Sequence, residues 1–169
     1  MPAEDSPIIQ SHPGVLRVRE ALRRAGLADN ITVMAEATHT AQAAAAALGC
    51  DIGEIAKSII FRANDGRAVL VITSGGNRVD DRKVVQQLGQ DIGKADADFV
   101  RAQTGFVIGG VPPLAHAVPP YTLMDEDLLR YAAIWPAAGH PNTMFSISPH
   151  DLARVTGARI TDVAQEKKP

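Results

Sequence analysis

Apolar positions first recur along this chain at helical spacing and then gather into short, dense runs. Between Pro13 and Leu27, Val15, Val18, Leu22 and Ala25 are separated by three, four and three residues, which puts them on one face of a helix. Gly26 lies close to its end, and Arg17, Arg19, Arg23 and Arg24 lie off the apolar face, as a solvated polar face relieved by Glu20 would have them. Ile31 to Glu36 is rich in β-branched and apolar residues and predicts a strand. Thr38 or Thr40 then offers an N-cap for an alanine-rich helix, Ala41 to Leu48, stopped by Gly49. Ile55 to Arg62 and Ala68 to Thr73 read as two strands joined by the turn Asn64-Asp65-Gly66, the clearest local signal in the chain.

Further on, Ser74-Gly75-Gly76-Asn77 predicts a turn, and Asp80 to Leu88 a helix with Asp80 or Asp81 at its start and Gly89 at its end. No Gly-Lys-Ser or Gly-Lys-Thr follows those glycines, so a nucleoside triphosphate loop is not expected. Asp96 to Gln103 predicts a short helix. The stretch Gly105 to Pro113 reads as a brief apolar strand running into a loop, in which Gly109 and Gly110 permit close approach while Pro112 and Pro113 fix the backbone. Such a loop either orients a carbonyl by its main-chain dipoles or merely joins two strands. Strands are expected at Leu114 to Ala117, Thr122 to Met124, Ala132 to Trp135, Met144 to Ile147 and Arg159 to Val163. Asp125-Glu126-Asp127 is expected as an exposed turn, and Ser148-Pro149 as the start of a helix, Asp151 to Thr156, ended by Gly157. This order predicts an α+β (mixed α/β) fold in one domain: a largely antiparallel mixed sheet, either open or barrel-like, with short helices around it. The expected boundaries are a flexible N-terminus over 1–12, the domain over 13–163 and a loose tail over 164–169.

Composition narrows the function. With 46% hydrophobic and 21% charged residues the chain is of ordinary globular type, and its net charge of −2 argues against a broad nucleic-acid-coating surface such as DNA binding needs. Contact with one end of a nucleic acid is compatible with it. Seven aromatics, four Phe, two Tyr and one Trp, are too few for a base-stacking platform. The single cysteine, Cys50, fits a reducing compartment, and no apolar run suits a membrane span, so a cytoplasmic protein is expected. Cys50 follows the C-terminal end of a helix, where a thiol pKa is raised rather than lowered.

Lys57 interrupts an apolar strand on the face of Ile55 and Ile59, where it either guards a sheet edge or points a cation into a cavity. His140 lies in a polar loop, Ala138 to Thr143. The segments Ala-Lys-Ser-Ile-Ile-Phe, Gly-Phe-Val-Ile-Gly-Gly-Val-Pro-Pro and Ala-Gly-His-Pro-Asn-Thr-Met-Phe, in that order, resemble the YbaK/EbsC family of aminoacyl-tRNA deacylases, which includes the editing domain of bacterial prolyl-tRNA synthetases. The resemblance extends roughly from Ala21 to Val163. It implies a hydrolase that cleaves the ester of a wrong amino acid on tRNA, of the Cys-tRNA(Pro) or Ala-tRNA(Pro) type, in trans. It also implies no cofactor or metal, and as partners the tRNA acceptor end and prolyl-tRNA synthetase, but neither DNA nor membrane.

In that family the residue matching Lys57 holds the terminal phosphate or adenosine, and the loop matching Gly109 and Gly110 fixes the reacting carbonyl. The residue matching His140 positions the aminoacyl group in the members that have it, although some free-standing relatives carry another residue there. Ser58, Val111, Pro112, Gly139, Asn142 and Thr143, within the same motifs, are the expected substrate contacts. No Ser-His-Asp arrangement or Gly-x-Ser-x-Gly elbow is present, as suits attack by water or by a group of the substrate. A non-catalytic module that holds a tRNA end or a synthetase, and a hydrolase acting through Cys50 and His140, are the competing readings.

Overall fold

The computed structural model describes residues 7–35 and 39–167. Its frame is a mixed six-stranded sheet. β2 (Ile55–Ala63) and β3 (Ala68–Ser74) form the predicted antiparallel hairpin, and β3 is buried along its whole length. Gly66, at φ 90°, supplies the left-handed residue that a three-residue hairpin loop requires. Beyond β3 come β5 (Tyr121–Asp125) and β8 (Arg159–Thr161), both in parallel pairing. On the other side of β2, β4 (Ile92–Lys94) pairs antiparallel and β6 (Trp135–Pro136) pairs parallel. β1 (Ile31–Val33) and β7 (Thr143–Phe145) form a separate antiparallel pair. The sheet is more evenly mixed than its sequence suggests and is not closed into a barrel.

Helices cover both faces. α2 (Pro13–Arg24), α5 (Ala97–Thr104) and α6 (Pro149–Thr156) bury Val18, Leu22, Val100 and Leu152 against Leu70, Ile72 and Met124. α4 (Asp81–Leu88) places Val84 on Val69, Val71 and Leu123 of the opposite face. α3 (Ala41–Leu48) packs Ala44 and Ala45 on Ile55 and Met144, close enough for small side chains alone. The caps are side chains of the expected kind: Thr40 accepts from Ala43 N–H, Asp80 from Arg82 N–H and Ser148 from Asp151 N–H. His12 caps α2 through Nδ1, which composition alone does not suggest. Thr38 and Glu36, the alternative cap and the expected strand end, lie outside the described residues.

Several expectations are corrected. Phe106 to Ile108 and Leu114 to Ala117 form no strands. α5 ends at Gly105 in the left-handed region, and the chain then makes a compact loop closed by Ala117 and Val118 N–H donating to the Thr104 and Gln103 carbonyls. Pro112 and Pro113 have no donors for a ladder, and Ala115 sits at φ 66°, which extended strands exclude. The strand expected over Ala132 to Trp135 is displaced to Trp135–Pro136. Pro7–Gln10 forms a short helix, α1, inside the segment expected to be flexible. At the other end, Ala164 bridges Val79 and Gln165 N–H donates to the Arg78 carbonyl, which ties down the start of the expected tail.

Candidate functional site

The site follows from an interruption in the sheet. On one edge of β2, β6 pairs with Ile55 and Ala56 and β4 pairs with Phe61 to Ala63, so Lys57 to Ile60 have no strand beside them. A cavity of about 380 Å³ lies against this gap and is lined by Ile55 to Ile60 throughout. α3 and the preceding turn contribute His39, Thr40 and Ala44, the loop after α5 contributes Ile108, Gly109 and Val111, and the loop before β7 and the first residue of β7 contribute Pro141 and Thr143. Lys57, Ser58, Gly109, Val111 and Thr143, from all three sequence motifs, therefore line one cavity. Gly110, Pro112, Gly139, His140 and Asn142 are not among its lining residues.

Lys57 is half-buried, and its Nζ donates to the Asn77 carbonyl at 2.6 Å. Burial, with the nearby Arg78 guanidinium adding to it, lowers the amine's pKa below the ordinary lysine range, while Asp125 acts in the opposite sense. Asn77 is itself fixed: its Nδ2 donates to Asp125 at 2.9 Å and to Asp127 at 2.8 Å. Asp125 also accepts from the Ser74 and Asp127 N–H groups and is only 1% exposed. The expectation of an exposed acidic turn is thus wrong at Asp125, because its carboxylate caps main-chain donors that would otherwise be buried unpaired. Gly75 completes this turn, since a Cβ there would lie 2.3 Å from the Ile52 carbonyl oxygen.

The glycine loop is a turn from Val107 to Gly110, with Gly109 at φ 94° and Gly110 N–H donating to the Val107 carbonyl at 3.1 Å. Gly110 N–H is therefore engaged, whereas Gly109 N–H has no acceptor among the described residues. Gly110 packs directly on the next loop: a Cβ would stand 2.9 Å from the His140 Cα and carbonyl carbon. His140 in turn holds that loop together. Its Nδ1 accepts from Asn142 N–H, its N–H donates to Thr143 Oγ1, its carbonyl accepts from Thr143, and its ring meets His12 edge-on at 5.0 Å. Burial and the neighbouring His12 lower the His140 pKa, favouring the neutral ring.

Two residues that the sequence does not mark as part of the site shape the glycine loop. His116 Nε2 lies 2.6 Å from the Pro112 carbonyl, and burial lowers the pKa of its imidazole, with Arg17 adding to the effect against the bond to Pro112. Arg17, expected to be solvated, instead donates to the Gly105 and Ala115 carbonyls at 3.1 and 3.0 Å and lies over the Phe106 ring. Their partners are distant in sequence, so no local pattern marks them. Cys50 does not line the cavity; its thiol is pushed up to about 11, by burial first and by Glu54 and Asp51 after it. Among the described residues no helix is long and apolar enough to cross a membrane.

A family model, the aminoacyl-tRNA editing domain, matches residues 35–155, which include all three motifs and every strand of the cavity wall. The chain belongs to this family. The editing domain is 28% identical over 132 residues to the uncharacterized protein YwhH of Bacillus subtilis, covering 78% of this chain and 84% of that one. It is 22% identical over 129 residues to a protein of Enterococcus faecalis named "Putative Cys-tRNA(Pro)/Cys-tRNA(Cys) deacylase EbsC", covering 76% and 79%. A crystal structure described as that of "a putative trans-editing enzyme for prolyl tRNA synthetase" superposes with a TM-score of 0.86 at 38% identity, covering 91% of this chain and 98% of that one. The mixed α/β fold and the YbaK-like assignment drawn from the motifs are those of these relatives.

Proposed function

We propose that this editing domain hydrolyses the ester between a wrongly attached amino acid and the terminal ribose of tRNA, with Cys-tRNA(Pro) or Ala-tRNA(Pro) as the type of substrate, acting in trans to prolyl-tRNA synthetase. The observation that carries this reading is the meeting of Lys57 and Gly109 in one cavity beside an open strand edge. The family and the printed descriptions of the relatives support the substrate class.

In this reading the Lys57 ammonium, held on the Asn77 carbonyl, binds the phosphate or ribose of the terminal nucleotide. The Gly109 N–H points the reacting carbonyl and stabilises the negative charge that develops on its oxygen. Water adds to the carbonyl carbon, the bond to the ribose oxygen breaks, and the proton passes to that oxygen. The products are a free amino acid and a tRNA with its hydroxyl restored. An aminoacyl ester is already activated, so orientation and carbonyl polarisation suffice and no step passes through a metal or a nucleophilic side chain.

Ser58, Val111 and Thr143 form the wall against the aminoacyl group. His140 positions substrate indirectly, by fixing the loop on which Gly110 rests, and Pro112, Gly139 and Asn142 serve the same two loops. One methylene is worth only about 1–3 kcal/mol in such a cavity, so a wall of this kind excludes larger amino acids better than it separates close analogues.

The test is a panel of tRNAs charged with alanine, cysteine, serine, threonine or proline, incubated with the protein with and without prolyl-tRNA synthetase. The reading expects release of alanine or cysteine from tRNA(Pro), in the presence of EDTA as in its absence. Tight binding of the charged tRNA without release of any amino acid would instead identify a non-catalytic module.

A further inference from the structure

The register of β2 determines what its open edge offers the cavity. Ile55 accepts from Gly75 N–H and Ala63 donates to the Arg67 carbonyl, both toward β3, and the pairing between them runs unbroken from Ala56–Ser74 to Arg62–Ala68. In an antiparallel ladder alternate residues turn both main-chain groups to the same neighbour. Ile55, Lys57, Ile59, Phe61 and Ala63 therefore bond toward β3, whereas Ala56, Ser58, Ile60 and Arg62 turn outward. Asn64, in phase with that second set, donates to the Asp91 carbonyl on the β4 side, as this phase requires.

β6 takes up the edge at Ala56 and β4 takes it up at Arg62. Ser58 is left between them, turning its N–H and C=O into the gap with no partner among the described residues; the Ile60 N–H is open beside it, whereas the Phe61–Lys94 pairing carries the Ile60 C=O onto Ala95 N–H. Ser58 Oγ is buried and also lacks a partner. Unpaired edge groups are a template for another extended segment, yet here they face a cavity closed at both ends by strands rather than a free sheet edge. The gap has room for little more than one residue's worth of main chain. A single amino acid esterified through its carboxyl has that size, and its α-ammonium group carries three donors in need of acceptors.

We propose that the open edge of β2 binds the α-ammonium group of the substrate through the Ser58 carbonyl, so that the substrates are esters of amino acids whose amino group is free. This rests on the editing function proposed above and adds a requirement to it. N-acylated aminoacyl-tRNA and esters of hydroxy acids are excluded, the first by bulk and loss of charge, the second by leaving the Ser58 carbonyl unpaired.

The test uses two non-hydrolysable probes, 3′-(L-alanylamino)-3′-deoxyadenosine and its 3′-propionylamino counterpart, which differ in the amine alone. Binding is followed on protein labelled with 13C at its main-chain carbonyls. The alanyl probe is expected to bind at least tenfold more tightly and to move the carbonyl resonance of Ser58 more than those of Lys57 and Ile59. Equal affinity of the two probes, or movement confined to Lys57 and Ile59, overturns the proposal while leaving the editing reading intact. Failure of both probes to bind at the cavity overturns the editing reading and this proposal with it.

Discussion

The ammonium of Lys57 and the main-chain carbonyl of Asn77 are joined by a 2.6 Å hydrogen bond across the start of the β2–β3 hairpin and the turn that follows it. The cation is thus positioned by a chain of contacts that ends in the buried Asp125 carboxylate. Asp125→Ala would leave the Ser74 and Asp127 N–H groups without this acceptor and Asn77 Nδ2 with Asp127 alone. We expect a loss of about 3 kcal/mol in urea unfolding, the usual scale for buried polar groups stripped of a partner, and a parallel loss of deacylation. Asp125→Asn keeps one acceptor oxygen and should recover part of both. An Asp125→Ala protein of unchanged stability would show that the carboxylate does not hold the turn.

Gly110 and His140 touch so closely that any side chain at Gly110 must move one of the two loops. Gly110→Ala should reduce deacylation at least about tenfold, because misplacing a reacting group by a fraction of an ångström to 1 Å is costly. Gly93→Ala is the matched control, since a Cβ there meets nothing within 4 Å. Equal activity of the two variants would reduce the glycine loop to a connector.

His116 provides a pH test. Its pKa is lowered in the folded protein, so between that value and the unfolded value of about 6.5 the unfolded chain binds more protons. Stability from this group is therefore fully present above about pH 6.5 and is lost as pH falls through the folded pKa. Replacing it with the non-titrating His116→Asn should flatten the acid side of the stability profile measured by urea unfolding. An unchanged slope would assign the acid sensitivity to other groups.

Cys50 should be a slow nucleophile, with its thiol near 11 and outside the cavity lining. We expect little alkylation by iodoacetamide at about pH 7.5, where a thiol of this kind is almost wholly protonated. Full alkylation should leave deacylation intact. Inactivation in step with modification would revive a thiol mechanism.

The hairpin was legible because Asn64-Asp65-Gly66 between two apolar runs has few other outcomes, and the helix ends because caps such as Ser148 and stops such as Gly49 act locally. The motifs containing Lys57, Gly109 and Thr143 were recognisable by family resemblance, although spacing alone gave no reason to bring them together. The loop from Phe106 to Pro120 was misread because its apolar content imitates strands, while what shapes it comes from elsewhere. Arg17 reaches its partners 88 and 98 residues along the chain. Asp125 likewise looked like a surface acid, since its partners Ser74 and Asn77 lie 51 and 48 residues away. The open edge of β2 was hidden for a related reason: β4 and β6 are too short to announce themselves, and the gap exists only because both are short.

In the proposed function, Lys57 serves substrate from within the cavity rather than guarding a sheet edge. Single-turnover deacylation of Ala-tRNA(Pro) or Cys-tRNA(Pro) by Lys57→Ala, with far-UV circular dichroism on the same sample, tests it most directly. Loss of amino-acid release with an unchanged spectrum is the expected outcome. Release at the unsubstituted protein's rate would leave Lys57 as no more than a guard of the sheet edge.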